Sequence, residues 1–220
     1  MKKLHLLIAV IALAVGLHLY IDRPVHWVYD ETKLHEIAQK GIQTAKEKHG
    51  EALEPRLIIE EVIRGVLEAY PTTTRYSGRW LWNVAGGAMG AMTVLHCSFS
   101  EYLIIFGTAV GTEGHTGRHL ADDYFMILYG EQWAALPEGD ATRREVYRAG
   151  DSHHLPRGVA KQYRMPNACF ALEYARGNIV SMLFFGFADS FFSTLDLVTI
   201  QQTLYESASN LLFNLLRGKI

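Results

Sequence analysis

Between Trp80 and about Arg176 the chain is a series of short apolar segments, each closed by a glycine or proline turn, and this spacing constrains the fold more than any other feature. Candidate strands fall at 79–84, 91–98, 102–109, 122–129, 144–148, 159–164 and 169–175. Turn signals stand at Gly86-Gly87, Gly114, Gly117, Pro137-Glu138-Gly139 and Gly150-Asp151. Strands repeated at this interval make a sandwich or a small barrel, and a small barrel can enclose one ligand. Side chains alternate along a strand. Tyr102, Ile104 and Phe106 therefore share one face, as do Met92, Val94 and His96 on the preceding strand.

Helical sequence flanks this block. Residues 30–48 carry Leu34, Ile37, Ala38, Ile42 and Ala45 at helical spacing, and Gly50 supplies a stop. A second helix starts near Pro55, a good first-turn residue, and ends before Pro71. After Gly177 come Met182, Leu183, Phe184, Phe185 and Phe187, then a longer helix over about 191–216. This phenylalanine-rich block suits a lid over the barrel, a helix lying in a membrane interface, or a helix packed on the domain.

The N-terminus bears on location. Lys2 and Lys3 precede an apolar run from Leu4 to Ile21. About 18 residues at 1.5 Å rise cover most of a ~30 Å hydrocarbon core. A cleaved signal peptide needs small residues after the apolar stretch, but Leu19-Tyr20-Ile21-Asp22-Arg23-Pro24 is bulky. The segment thus reads as an uncleaved anchor, with the two lysines favouring a cytosolic N-terminus. The expected organisation is α+β: a transmembrane anchor at 1–22, a helical segment at 23–78, a β-barrel at 79–177 and C-terminal membrane-associated helices at 178–220.

Of 220 residues, 49% are hydrophobic and 20% charged, too polar for a multi-span protein. A net charge of −2 with no basic stripe argues against a nucleic-acid partner. Cys97 and Cys169 stand far apart with no Cys-x-x-Cys, which excludes a disulfide framework or a zinc ribbon.

Glu173 lies in the middle of an apolar strand, sharing a face with Ala171 and Ala175. Such a carboxyl is costly unless paired or protonated. Its pKa should rise, making it a proton donor near neutral pH. The alternatives are a salt bridge, for instance to Arg176, or an exposed edge strand. Asp122-Asp123 precedes Tyr124-Phe125-Met126-Ile127-Leu128, and alternation turns one of the two aspartates inward. Asp123 shares its face with Phe125 and Ile127 and would form a coupled pair with a second acid; capping of the preceding turn is the alternative. Glu113, His115, His119 and His153-His154 lack a His-x-His spacing, so no metal is expected. Phosphate-loop and nucleophile-elbow motifs are missing. An isolated acid beside alternating apolar faces fits an apolar chamber with one polar anchor.

The runs "NVAGGAMGAMTVLHCSFSEYLIIFGTAVGTEGHTG" from Asn83, "GRHLADDYFMILYGEQW" from Gly117, "KQYRMPNACFALEYARG" from Lys161 and "FADSFFSTLD" from Phe187 resemble the fungal sterol delta-8 to delta-7 isomerases and their animal relative, the sigma non-opioid receptor. The resemblance covers essentially the whole chain. It implies a cupin-like barrel behind one transmembrane helix, C-terminal helices on the membrane, residence in the endoplasmic reticulum and a homotrimer. It implies a cofactor-free shift of a sterol double bond and binding of cationic amphiphilic amines; a non-catalytic ligand-binding regulator is the alternative. It places Glu173 at the ligand-binding glutamate and Tyr102 at the tyrosine that supports it. Met92, Val94, Ile104, Phe106, Met182 and Leu183 match pocket-lining positions. The receptor's second pocket acid aligns with Phe125, one strand period from Asp123. The receptor's pocket histidine aligns with Leu155, one period from His153.

Overall fold

The computed structural model describes residues 2–50, 53–138, 140 and 142–220; Gly139 of the expected 137–139 turn lies outside them. Among the described residues the strands are β1 (Leu81–Ala85), β2 (Ala88–Cys97), β3 (Glu101–Thr108), β4 (Thr112–His115), β5 (Ala121–Tyr129), β6 (Glu131–Ala135), β7 (Glu145–Arg148), β8 (Ser152–Leu155), β9 (Gln162–Met165) and β10 (Cys169–Gly177). They pair antiparallel in two sheets, one ordered β1-β2-β3-β10-β5-β8 and the other β4-β9-β6-β7. Strands β4, β6 and β8 are missing from the sequence expectation. They are four or five residues long, β4 and β8 are largely polar and β6 has only Trp133 as a large apolar residue, so their extended form comes from pairing with β9, β7 and β5 more than from an apolar pattern of their own.

The expected closed barrel is corrected to two facing sheets. The chain passes from one sheet to the other at Gly130, whose φ of 75° allows the sharp turn between β5 and β6. Near this corner and at the opposite rim the sheets are linked by isolated hydrogen bonds, Ala149 N–H to Gly130 O at 3.2 Å and His115 N–H to Gly86 O at 2.8 Å. No continuous ladder joins the two sheets among the described residues.

The larger sheet is buried on both faces. Helices α2 (Glu31–His49) and α3 (Pro55–Ala69) cover its outer face, packing Leu34, Ile42, Ile58 and Val62 against Leu103, Ile105, Met126, Leu172 and Tyr174. Its inner face carries Met92, Tyr102, Ile104, Phe106, Ile127 and Ala171 against Met165 of the smaller sheet. Asp30 caps α2 by accepting the Lys33 N–H at 2.8 Å, and Pro55 opens α3.

One expected face is overturned. A bulge in β2 between Val94 and His96 shifts the register by one residue. A one-residue slip sends later side chains to the opposite face. His96 thus joins the helix layer, where its ring meets Tyr29 at 5.0 Å and Nδ1 lies 2.8 Å from Thr73 O. Cys97 and Cys169 are buried free thiols.

α1 (Lys2–Ile21) is long and apolar enough to cross a membrane, and nothing in its apolar window is buried. Its end is tied to the body: Arg157 bridges Asp22 and Asp122, and His18 Nδ1 lies 3.3 Å from Asn178 Nδ2. The C-terminal block is not one helix from 191. α4 (Ile179–Asp189) runs into a π-turn at Ser190–Thr194, Leu195 takes a left-handed φ of 53°, and α5 (Leu197–Leu215) starts afresh. Asp196 causes the restart by accepting the Thr199 N–H at 3.0 Å.

Candidate active site

The inner face of the larger sheet, the smaller sheet and the two C-terminal helices enclose a cavity with about 890 Å³ of empty space including its mouth. Its apolar wall is Met92 of β2, Ile104 and Phe106 of β3, Phe125 of β5, and Met182, Leu183, Phe185 and Phe187 from the α4 region. Ile200 and Thr203 of α5 also line it.

Two carboxylic acids enter this space. Alternation in β10 sends Leu172 and Tyr174 to the helices and leaves Glu173 on the cavity side. The same alternation in β5 buries Asp123 inward at 3% exposure and leaves Asp122 outward. Register sets the two acids diagonally: Glu173 faces Phe125, and Ala175 faces Asp123. The small Ala171 and Ala175 leave room beside Glu173 on its own strand.

The electrostatics separate the neighbouring aspartates. Asp122 pays some desolvation, but hydrogen bonds from Arg157 and His154 hold its carboxyl below the usual range. Asp123 has no such partner, and its Oδ1 is buried without a hydrogen bond. Burial, with the nearby Glu173 charge adding to it, pushes Asp123 well up. Burial likewise raises Glu173. The pair therefore tends to hold a proton near neutral pH, since two adjacent buried carboxylates repel. Arg176 is not the partner of Glu173; it sits on the other face, with Glu31 at 2.6 Å and Tyr124 Oη at 2.7 Å.

Other expected positions divide. Met92, Tyr102, Ile104, Phe106, Phe125, Met182 and Leu183 line the cavity. Val94 does not: it is buried in the same core, packed behind the lining residues. Tyr102 lines the cavity, but its hydroxyl points to Met92 Sδ at 3.7 Å rather than to Glu173. His153 packs flat between Phe125 and Tyr147 and meets Gln132 Oε1 at 2.7 Å, outside the lining. Among the described residues no group of His, Cys, Asp and Glu converges as metal ligands would.

Sequence reasoning passed over Asn83, Thr116, His119 and Tyr163 as lining residues. Asn83 was detectable, because it alternates inward between Leu81 and Ala85 on β1. His119 had no local signal; it precedes β5 in a turn and meets the cavity only through the packing of α4.

The chain matches the sequence profile described as ERG2 and Sigma1 receptor like protein over residues 4–219. It belongs to that family. Fellow members include the C-8 sterol isomerase of Pyricularia oryzae, 53% identical over 196 residues that cover 88% of this chain and 85% of the relative. The C-8 sterol isomerase erg2 of Aspergillus fumigatus is 44% identical, covering 99% of this chain and 89% of its own. Sigma non-opioid intracellular receptor 1 of Danio rerio is 36% identical, covering 81% and 79%. Among solved structures, an RmlC-like cupin from Shewanella frigidimarina covers 47% of this family member and 89% of itself, at 17% identity and a TM-score of 0.39.

Proposed function

We propose that this protein is a sterol isomerase of ergosterol-type biosynthesis that moves a ring double bond from the delta-8 to the delta-7 position. The observation that carries the reading is the pairing of Asp123 and Glu173 on adjacent strands inside an otherwise mostly apolar cavity. The names of the fungal relatives support it.

The shift needs one proton added and one removed. A carboxylic acid gives its proton to C9 of the C8–C9 double bond, whose electron pair forms the new C–H bond and leaves a cation at C8. A carboxylate takes a proton from C7, and that C–H pair becomes the C7–C8 double bond. Proton transfer between the two groups restores the starting state, so the sum is an isomerisation without cofactor. The anionic member of the pair faces the developing cation in a site with little water, where charge interactions are strong. We assign Glu173 to cation stabilisation and proton transfer, and Asp123 to the partner role. Tyr102, Met92, Ile104, Phe106, Phe125, Met182 and Leu183 would hold the sterol rings, with Val94 supporting them from behind. Cationic amphiphilic amines would bind tightly as mimics of the cation.

The same reading places α1 in the endoplasmic reticulum membrane as a single anchor. α4 and α5 would lie on the bilayer, since they line the cavity with Leu183 and Ile200 while exposing Phe184, Leu197 and Val198. A homotrimer is the assembly implied by the receptor. The test is incubation of the purified full-length protein with a delta-8 sterol. Appearance of the delta-7 isomer supports the proposal; amine binding without conversion would instead make it a ligand-binding regulator.

A further inference from the structure

The cavity lining holds polar side chains besides the acid pair. His119 lines it and is 6% exposed. Its Nε2 lies 2.7 Å from the carbonyl of Thr116. A carbonyl only accepts, so Nε2 carries the proton and the neutral ring keeps a lone pair on Nδ1. That Nδ1 makes no hydrogen bond among the described residues, yet it is not one of the sealed buried atoms left unpaired. It therefore keeps some accessible surface, and the residue lines the cavity.

The ring is held in place. Phe185 of α4 meets it edge-on at 5.2 Å and 76°. Gly117 lets the turn fold beneath it: φ is +86°, and a Cβ there would stand 2.4 Å from His119 Nε2. Burial lowers the His119 pKa, with the nearby His115 acting in the same direction, so the acceptor lone pair persists at neutral pH. Of the other polar lining groups, the hydroxyls of Thr116 and Ser190 are engaged, while Asn83, Tyr163 and Thr203 line the cavity without a side-chain hydrogen bond among the described residues. The Thr116 hydroxyl bonds Gly117 O and Lys161 N, and the Ser190 hydroxyl bonds Val84 O.

We infer that His119 is the specificity-determining residue that accepts, at Nδ1, the hydroxyl proton of the sterol alcohol. The inference rests on the isomerase reading for its substrate class. It explains how a mostly apolar cavity could choose one ring carbon. The hydroxyl-bearing ring and the reacting ring of a sterol are adjacent and fused, so pinning the hydroxyl at His119 fixes which carbons meet Asp123 and Glu173. His119 stands four residues before Asp123, so their Cα atoms are at most about 14 Å apart.

The experiment compares a delta-8 sterol with its 3-methyl ether, which keeps the oxygen and loses the donor. Both displace a bound cationic amine from the full-length protein in detergent, and turnover is followed in parallel. Wild type should prefer the free alcohol by about tenfold, as expected for one hydrogen bond. His119→Phe keeps the ring against Phe185 but has no acceptor; it should bind alcohol and ether alike and raise KM for the alcohol about tenfold, each displacement being read against that variant's own amine affinity. His119→Gln, with both a donor and an acceptor, should recover part of the preference. Equal binding of alcohol and ether by wild type overturns the inference, as does a His119→Phe protein that retains the preference. Loss of preference in Asn83→Ala with His119→Phe unaffected would move the role to Asn83 and overturn it as well. If wild type binds with the stated preference but forms no delta-7 product, the isomerase reading fails while the hydroxyl site stands.

Discussion

Glu173 and Asp123 sit diagonally across two adjacent antiparallel strands, each opposite a neighbour of the other rather than opposite one another. Diagonal neighbours in a sheet lie roughly 7–8 Å apart at the backbone. That spacing suits two carboxyl groups reaching for the carbons on either side of C8 in one substrate, and it keeps them close enough to couple electrostatically.

Replacing either acid should abolish isomerisation while leaving the fold intact. For Glu173→Gln and Asp123→Asn the expected fall in kcat is at least about 10²–10⁴-fold, the range of a single acid–base group. Amine binding should suffer more in Glu173→Gln, which removes the assigned counter-charge. The check is product formation beside amine binding and circular dichroism. Normal turnover by the Gln variant would remove Glu173 from the mechanism.

The acids should also carry a stability cost that grows with pH. A carboxyl whose folded pKa is raised binds more protons in the folded state than in the unfolded one. Stability then falls as pH rises from the unfolded value, about 4, toward the raised folded value. Asp123→Asn removes this dependence. The difference in Tm between Asp123→Asn and wild type should therefore increase from pH 4 to pH 8. A difference that is flat over this range would mean Asp123 has no raised pKa.

A buried ion pair fastens the C-terminal segment to the core. Lys219 Nζ lies 3.0 Å from Glu101 Oε2, with 7% and 0% side-chain exposure. Tyr174 Oη donates to Glu101 Oε1 at 2.6 Å, and the N–H groups of Val28 and Tyr29 complete the carboxylate's partners. Removing one member of such a pair costs about 3–5 kcal/mol. Lys219→Met should fall at the low end, because these donors still satisfy Glu101; Glu101→Leu should cost more. Urea denaturation measures both.

On the proposed membrane placement, α1 should matter more for membrane-borne sterol than for soluble ligands. α1 reaches the body through Asp22–Arg157 and His18–Asn178, next to the helix that lines the cavity. Deleting residues 1–22 should lower turnover of sterol supplied in vesicles more than it lowers affinity for a soluble amine. Equal losses would reduce the anchor to an address.

Much of this was legible along the chain. Leu4–Ile21 needs no partner to be apolar, and the α2 and α3 periodicities and the β3, β5 and β10 alternations are local patterns. Because side chains alternate along a strand, the sequence groups Tyr102, Ile104 and Phe106 on one face and turns one of Asp122 and Asp123 inward; the structure decides that it is Asp123, and that Glu173 faces the cavity. The family resemblance rests on contiguous motifs and is likewise a property of sequence.

What only the tertiary structure decided arises where one residue's place depends on a distant partner. The bulge after Val94 is a feature of β2 against β3, and it alone turns His96 away from the cavity side. β4, β6 and β8 become strands because neighbours offer them hydrogen bonds. β5 and β6 fall in different sheets because the chain turns at Gly130 instead of extending the ladder. His119 is a turn residue until α4 folds back and sets Phe185 on its ring. Local spacing encodes which face a side chain takes within one strand; which strands and helices meet across that face is a sum of long-range contacts that no short window contains.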